Sequence, residues 1–185
     1  AAPVTPVPPA SNQDGSFSDV SGSAWYAPAV NYVLENKLMT GVGGDRFDPN
    51  GVGTRAMIWT ILYRQAGSPA QNTADAKWYS AAQDWSKANG ISDGSNPSSP
   101  ITREQLASML YSYAQKNGAN PAAAGDLTGF RDAGQVSAWA SDAMRWAIGA
   151  GLISGKGNGT LDPTGTATRA EIAAILMRFS QNNKI

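Results

Sequence analysis

The sequence contains no cysteine and no histidine among its 185 residues. Without cysteine there can be no disulfide bond and no thiol nucleophile, and without histidine the commonest general base and zinc ligand are missing. The absence of cysteine also fits a secreted bacterial protein. A hydrolase built from this sequence would have to use carboxylates alone, as a glycosidase does. No pair of acidic residues stands out for that role, so we predict a non-catalytic protein.

The sequence also lacks an excess of charge and a long apolar run. Its 14 basic and 14 acidic side chains give a formal net charge of zero, which disfavours nucleic-acid binding because that binding needs a basic field. A transmembrane helix needs about 18 consecutive apolar residues, and no such run occurs. The glycine-rich and acidic segments fit neither a phosphate loop nor an EF-hand. We therefore predict no membrane span, no metal and no cofactor.

The sequence does contain a pattern that is written three times. A Thr-Arg pair opens a stretch with apolar residues at helical spacing in each case. The pairs are Thr54-Arg55, Thr102-Arg103 and Thr168-Arg169, and the apolar residues are Ile58, Ile61 and Leu62; Leu106, Met109, Leu110 and Tyr113; and Ile172, Ile175, Leu176 and Phe179. Threonine is a good helix N-cap, and Glu171 can close a capping box after Thr168. We therefore predict three helices that each begin at the arginine.

A second helix is predicted before each Thr-Arg helix, marked by two aromatic residues seven positions apart. These pairs are Trp25 and Tyr32, Trp78 and Trp85, and Trp139 and Trp146. A glycine lies 16 positions after the first tryptophan of each pair, at Gly41, Gly94 and Gly155. Lys37, Gly90 and Gly151 stand where a left-handed helix stop is required. A register kept three times indicates an internal repeat.

These patterns divide the chain into five segments. They are a proline- and serine-rich linker or tail at 1–16, repeat 1 at 17–67, a divergent and shorter repeat 2 at 68–118, a linker at 119–129 and repeat 3 at 130–182. Repeats 1 and 3 share an aromatic-x-Asp lead that ends in Asp19 or Asp132, and both have an Asp-Pro turn before the Thr-Arg helix. The sequence predicts that repeat 2 lacks both the aromatic-x-Asp lead and the Asp-Pro turn.

The predicted fold class is all-α. One helix–loop–helix unit cannot cover its own apolar stripe, so the three repeats must pack together. We predict one domain with pseudo-threefold symmetry, in which the three Thr-Arg helices form a central three-helix bundle.

The repeated frame F-x-D…W…A…GLI-x-G…D-P…TRAE…I-x-x-I-L resembles the S-layer homology repeat. Its strongest segment is 151–176, "GLISGKGNGTLDPTGTATRAEIAAIL". The resemblance implies an extracellular protein at the bacterial cell wall that anchors other proteins by binding a secondary wall polysaccharide. In many members the recognised group is a pyruvate ketal on a terminal N-acetylmannosamine. It is bound in grooves between repeats by the arginine of the Thr-Arg motif.

The chemistry of the three arginines, Arg55, Arg103 and Arg169, supports this expectation. A helix N-terminus offers free backbone N–H groups and a partial positive charge, which suit a carboxylate. An arginine in the first helical turn adds a planar fork that can bind the carboxylate bidentately. The alternative is an ion pair with a nearby acid such as Asp48 or Asp162. Either role is open for each arginine.

The other candidate ligand-binding residues have two interpretations as well. Trp25, Trp78 and Trp139 either pack in the core or against a loop, or they stack on a sugar or form a groove wall. Asp19 and Asp132 either cap the following helix or bind sugar hydroxyls. Gly41, Gly94 and Gly155 provide a positive φ, and they could also let a glycan approach the backbone. Lys156 is a candidate for the groove of repeat 3.

Two departures from the repeated frame predict that the three sites are not equivalent. Met57 stands where the capping-box glutamate belongs, so the cap of the first Thr-Arg helix is predicted to be incomplete. Glu104 follows Arg103 directly and could partly neutralise it.

Three functions from different classes remain open at this point. The first is a glycan-binding anchor, for which direct peptidoglycan binding is a variant. The second is a protein-assembly module of a surface layer, and the third is a wall hydrolase.

Overall fold

A computed structural model describes residues 17–68 and 77–183, except for the side chain of residue 183. The predicted linker at 1–16 lies outside these residues. The described chain is all-α, with α1 (Ala27–Glu35), α2 (Arg55–Gln65), α3 (Ser80–Ala88), α4 (Arg103–Lys116), α5 (Ser141–Gly149) and α6 (Arg169–Asn183). Two short 3-10 turns at Ala133–Gln135 and Ala138–Ala140 lead into α5. No helix in the described ranges is long and apolar enough to cross a membrane.

The Thr-Arg helices begin at their arginines, as predicted, because each preceding threonine caps the helix. In α6, Thr168 Oγ1 accepts the amide of Glu171 at 3.2 Å, and a carboxylate oxygen of Glu171 accepts the amide of Thr168 at 2.8 Å. The expectation that α2 has an incomplete cap is wrong. The sulfur of Met57 accepts the amide of Thr54 at 3.5 Å. This hydrogen bond is weak, but it takes the place of the bond between Glu171 and Thr168 in α6.

The three first helices end in the left-handed conformation that the sequence predicts. The φ angles of Lys37, Gly90 and Gly151 are 56°, 67° and 67°. In all three helices the amide of the next residue donates a hydrogen bond to a carbonyl of the last helical turn. The amide of Leu38, for example, donates to the carbonyl of Val33 at 2.8 Å. These stops direct the chain into a loop that leads to the next Thr-Arg helix.

Each first helix packs against the Thr-Arg helix of the repeat before it. Helix α3 packs on α2, α5 packs on α4, and α1 closes the circle by packing on α6. Aromatic pairs join these helices, including Tyr63 with Trp85 at 5.7 Å and Tyr111 with Trp146 at 5.5 Å between ring centroids. All of the predicted apolar stripe residues are buried.

The segments before the three Thr-Arg helices meet in a closed ring of backbone hydrogen bonds. The amide of Gly53 donates to the carbonyl of Ala167 at 3.0 Å, Ala167 donates to Ile101 at 3.0 Å, and Ile101 donates back to Gly53 at 2.8 Å. Since Ile101 and Ala167 have no exposed surface, the ring forms part of the core. The pseudo-threefold symmetry of whole repeats stays a prediction.

Candidate functional site

Each Thr-Arg arginine reaches into the loop of the next repeat and binds its backbone. Arg103 illustrates the arrangement, since its Nε donates to the carbonyl of Leu161 at 2.8 Å and its Nη2 donates to that of Ser154 at 2.9 Å. Its guanidinium is almost entirely buried. The arginine therefore ties repeat 2 to repeat 3, which is a structural role that the sequence did not predict.

Arg169 makes the equivalent contacts from repeat 3 to repeat 1. Its Nε donates to the carbonyl of Phe47 at 2.8 Å, its Nη2 donates to that of Thr40 at 2.7 Å, and its guanidinium lies 4.6 Å above the Phe47 ring. Burial lowers the pKa of Arg169, while the charges of Asp48 and Asp19 oppose that shift. Arg169 is thus a buried cation held by neutral carbonyls.

Arg55 completes the circle from repeat 1 to repeat 2, with a different set of acceptors. Its Nε donates to the carbonyl of Ser95 at 2.8 Å, but its Nη2 donates to Asp93 Oδ1 at 2.5 Å and to Ser92 Oγ at 3.1 Å. The Asp93 carboxylate is itself held by the amide of Ser95 at 3.0 Å. A side-chain carboxylate therefore replaces one of the carbonyls seen in the other two loops.

The expected ion pairs with Asp48 and Asp162 do not form. Arg55 pairs with Asp93, and Arg103 Nη1 pairs with Glu171 Oε1 at 3.3 Å. No carboxylate of the described residues lies within 4.0 Å of the guanidinium of Arg169. The three arginines therefore differ in how far an intramolecular acid already neutralises them.

Asp19 and Asp132 cap no helix, which corrects one of the two interpretations offered for them. The two oxygens of Asp132 accept the amides of Leu161 and Asp162 at 2.7 and 2.8 Å. Asp19 does the same for Phe47 and Asp48 at 2.9 and 2.8 Å. The aromatic-x-Asp lead thus holds the Asp-Pro turn of its own repeat.

These hydrogen bonds lower the pKa of both carboxyl groups. For Asp132 the main cause is the amide of Leu161. For Asp19 burial acts in the opposite direction, but the amides of Phe47 and Asp48 prevail. Both residues are therefore negatively charged at neutral pH.

Repeat 2 has a substitute for the Asp-Pro turn that the sequence analysis missed. Asn96 has a φ of 50°, close to the 58° of Asp48 and the 52° of Asp162. The carbonyl of Pro97 then accepts the amide of Ala56 at 3.0 Å. Asparagine tolerates the left-handed region as aspartate does, so the Asn-Pro dipeptide six residues before Thr102 was the available signal.

Glu104 does not neutralise Arg103, contrary to the expectation from their adjacency. Its carboxylate accepts the hydroxyl of Ser137 at 2.8 Å and the amide of Ser137 at 3.0 Å. Because the side chains of consecutive helical residues point in different directions, Glu104 faces the segment before α5 instead.

The three repeated glycines serve two purposes. Gly94 has a φ of 72°, as predicted, whereas Gly41 and Gly155 are not in the left-handed region. A Cβ on Gly155 would lie 2.4 Å from Cε1 of Phe130, and one on Gly41 would lie 2.6 Å from Cε1 of Phe17. These two glycines make room for the aromatic ring of the aromatic-x-Asp lead.

The first tryptophans of the three repeats are exposed, so the interpretation that places them in the core is wrong, and the other interpretations stay open. Trp25, Trp78 and Trp139 expose 64%, 47% and 62% of their surface. The ring of Trp25 meets Tyr26 edge-on at 5.4 Å between centroids. The indole of Trp25 therefore has a neighbour on one side and remains largely exposed to the solvent.

A groove of about 470 Å³ brings four of the predicted residues together, Trp25, Arg103, Gly155 and Lys156. They come from all three repeats, and α6 contributes the wall with Glu171 and Arg178 among others. Lys156 Nζ pairs with Asp162 Oδ2 at 2.6 Å. The groove does not include Asp132, whose carboxylate is committed to the turn.

Arg178 is a groove residue that the sequence analysis missed. Its Nη1 donates to the carbonyl of Leu152 at 3.1 Å, and Arg64 binds the carbonyl of Leu38 at 3.2 Å in the same way. Both lie nine positions after the arginine of their Thr-Arg pair, which was the signal. No group of acidic residues that could hold a metal occurs in the described ranges.

Comparison with known proteins agrees with this arrangement. A sequence model of the S-layer homology domain matches residues 16–56 and 129–173, which contain the first parts of predicted repeats 1 and 3. The assignment of repeat 2 stays a prediction.

Three relatives match most of this chain and a small part of their own length. The amylopullulanase of Thermoanaerobacterium thermosulfurigenes is 30% identical over 182 residues, which are 88% of this chain and 9% of that protein. The surface-layer 125 kDa protein of Lysinibacillus sphaericus is 29% identical, over 98% of this chain and 16% of its own. The S-layer protein sap of Bacillus anthracis is 26% identical, over 93% of this chain and 22% of its own. The chain carries the S-layer homology domain and belongs to that family.

Proposed function

We propose that this chain is a non-catalytic anchoring module that binds an anionic polysaccharide of the bacterial cell wall through the grooves between its repeats. The recognised group is a carboxylate on a terminal sugar, of the type that a pyruvate ketal on N-acetylmannosamine provides. The module thereby holds an attached protein at the cell surface.

The comparisons support an anchoring role. S-layer homology domains attach S-layer proteins and surface enzymes to the cell wall. The relatives named as enzymes include an endoglucanase of a Bacillus strain, of which the matched region is 18%. A region shared by enzymes and by S-layer proteins fits a common attachment module better than a common catalyst.

The observation that carries the proposal is the groove that joins Trp25, Arg103 and Lys156. An exposed indole provides apolar surface on which a sugar ring can stack, and Lys156, whose side chain is partly exposed beside Asp162, provides a charged partner for a carboxylate or for hydroxyl groups. These groups come from separate repeats, so only the folded domain brings them together. If Trp25 packed in the core, its indole would not be exposed.

The beginnings of the Thr-Arg helices add electrostatic attraction for an anion. Each has the positive end of a helix dipole, which acts on an anion at a distance, because the first amides of the helix already donate to a neighbouring turn, as those of Arg103 and Glu104 do to Gly165 and Pro163 at 3.0 and 2.9 Å. A charge-assisted hydrogen bond contributes about 1.5–3 kcal/mol. Several grooves on one domain, facing a wall that presents many polymer ends, would multiply weak single-site affinities.

A sedimentation experiment with purified wall sacculi tests the proposal. The chain should pellet with intact sacculi and remain in solution once the non-peptidoglycan polymer has been removed. Increasing salt should reduce pelleting, because exposed charge pairs are screened. Pelleting that survives removal of the polymer would contradict the proposal and indicate direct peptidoglycan binding. Self-association without any pelleting would indicate an assembly module instead.

A further inference from the structure

Methionine sulfur is the part of this chain that an oxidant attacks most readily, because the chain has no cysteine. Three of the five methionines, Met39, Met109 and Met144, are almost entirely buried. Met57 and Met177 are only partly buried. Since oxidation requires access to the sulfur, these two residues are the candidates for modification.

The surroundings of the two partly buried methionines differ. Met177 packs against the hydrophobic core, where a sulfoxide would place a polar group at the edge of apolar packing. Met57 lies in the first turn of α2, where its sulfur accepts the amide of Thr54 at 3.5 Å. An oxygen added at Met57 therefore has a hydrogen-bond donor beside it, and one added at Met177 disturbs apolar contacts.

The other two Thr-Arg helices hold an oxygen acceptor at the place of the Met57 sulfur. Gln105 Oε1 accepts the amide of Thr102 at 3.2 Å. Glu171 Oε2 accepts the amide of Thr168 at 2.8 Å. The reciprocal bond, from the amide of the third helical residue to the threonine Oγ1, is present in all three helices at 3.2 to 3.3 Å. The helices thus share one cap geometry, and the atom that accepts the threonine amide is what differs.

Methionine sulfoxide has the same reach as the side chains of glutamine and glutamate. Its sulfur occupies the place of their amide or carboxyl carbon, so the sulfoxide oxygen stands where Oε stands. That oxygen is polar and accepts hydrogen bonds well, whereas a thioether sulfur accepts them weakly. Oxidation of Met57 therefore supplies the atom that Gln105 and Glu171 provide in the other two helices.

We propose that Met57 is an oxidation site of this domain, and that its oxidation by a peroxide completes the N-cap of α2. A lone pair of the sulfur attacks one peroxide oxygen, and the O–O bond breaks as the S–O bond forms. With hydrogen peroxide, the proton of the transferred hydroxyl moves to the leaving hydroxide, which becomes water. The sulfur gives up one electron pair and is oxidised to the sulfoxide, and the peroxide is reduced. The new oxygen accepts the amide of Thr54.

Oxidation at this site stabilises the fold, although oxidation of a methionine in a core ordinarily disrupts it. The cap of α2 comes directly before Arg55, which joins repeat 1 to repeat 2 through Ser95 and Asp93. A stronger cap therefore holds the start of the helix that carries this contact. The inference is independent of the proposed function, because it concerns the chemistry and stability of the domain and not its ligand.

The experiment treats the Met177→Leu protein with increasing amounts of hydrogen peroxide, so that Met57 is the partly buried methionine that remains. Peptide mass spectrometry should find the sulfoxide at Met57 before the buried methionines react. Conversion of Met57 should raise the melting midpoint by about 2–4 °C, the shift that one added hydrogen bond produces in a domain of this size. The amide of Thr54 should also exchange with deuterium more slowly. Methionine sulfoxide reductases for both epimers should reverse these changes.

Two variants in the same background are the matched controls. Met57→Gln carries the oxygen permanently, so it should melt above the unoxidised Met177→Leu protein by the same amount and should not respond to peroxide. Met57→Leu has no acceptor for the amide of Thr54, so it should melt below that protein. Its midpoint should not rise with peroxide either.

Three results would overturn the proposal. Oxidation of a buried methionine before Met57 would show that the site is wrongly assigned. A melting midpoint that falls when Met57 is converted, or a rise of equal size in Met57→Leu, would show that the sulfoxide does not complete the cap. Equal midpoints for Met57→Gln and Met57→Leu would show the same without any oxidant.

Discussion

The carboxylate of Asp19 accepts the amide proton of Asp48 at 2.8 Å, although the two residues are 29 positions apart. Its other oxygen accepts the amide of Phe47, whose carbonyl in turn accepts Nε of Arg169. The same chain of contacts runs from Asp132 through Leu161 to Arg103. The aromatic-x-Asp lead thus positions the carbonyl that holds the arginine of the repeat before it.

Asp19→Ala should destabilise the fold because it leaves two amides of the turn without their acceptor. Hydrogen bonds to a charged group contribute about 1.5–3 kcal/mol, so we expect a loss of about 1–3 kcal/mol in the free energy of unfolding, measured with urea. Asp84→Ala is the control, because Asp84 has only an exposed ion pair with Lys87 at 3.7 Å, and it should change stability little. Equal effects of the two substitutions would contradict the anchoring role of Asp19.

The lowered pKa values of Asp19 and Asp132 predict how stability depends on pH. An aspartate has a pKa of about 3.9 in the unfolded chain, and both carboxyl groups lie below their ordinary value in the folded chain. The unfolded state therefore binds protons first as the pH falls. The stabilisation should be complete above the unfolded pKa and should be lost as the pH falls through the folded values. The melting temperature measured from pH 6 to pH 2 should fall as the pH is lowered. In Asp19→Asn the melting temperature should depend less on pH over this range.

The sequence predicted the helices well and the loops poorly. Helix boundaries depend on local features. Each cap, at Thr102 and Thr168, and each stop, at Gly90 and Gly151, is determined by residues within a few positions of it. The partners of Asp19 and Arg103 lie 28 to 68 positions away in sequence. No periodicity reports such a contact, so a helix cap for Asp19 and an acid beside Arg103 were the natural local interpretations.

Four of the twelve predicted ligand-binding residues line the groove, and their role in ligand binding stays a prediction. Recurrence selected Trp25, Arg103 and Gly155, and the structure brings these three into one groove. Their roles depend on which repeat faces which, and the packing of α1 on α6 is a property of the whole fold. The exposure of Trp25 could not be deduced either, since aromatic residues at the start of an amphipathic helix usually pack inward.

Gly155→Ala should destabilise the domain, whereas Gly157→Ala should not. A Cβ on Gly155 would meet the ring of Phe130 at 2.4 Å, and one on Gly157 would meet nothing within 4 Å. Overpacking of this kind costs about 1–3 kcal/mol. The two variants differ by two positions in the same loop, so a comparison of their melting midpoints isolates the clash. Similar midpoints would show that the Phe130 ring moves aside without cost.

Trp25→Ala should weaken pelleting with wall sacculi at little cost in stability. Its indole is 64% exposed, so truncation removes contact area for a ligand and not core packing. Trp146→Ala is the opposite case, because Trp146 is buried between Tyr111 and Phe179, and it should cost about 3–5 kcal/mol. A Trp25→Ala variant that pellets like the original protein would exclude the indole from ligand binding.

Arg169→Ala should lower the stability of the fold as well as the affinity for the wall. The arginine is 5% exposed, and its removal leaves the carbonyls of Phe47 and Thr40 without their donor. Each of these hydrogen bonds involves a charged group, so we expect the free energy of unfolding to fall by about 2–3 kcal/mol or more. Arg131→Ala is the control, because Arg131 is exposed and its removal should change the free energy of unfolding very little. Sedimentation with sacculi must therefore be done at a temperature at which circular dichroism shows the variant to be folded. If the folded variant no longer pellets with sacculi, the guanidinium of Arg169 contributes to ligand binding. If the melting midpoint does not change, the role of Arg169 in joining repeat 3 to repeat 1 is contradicted.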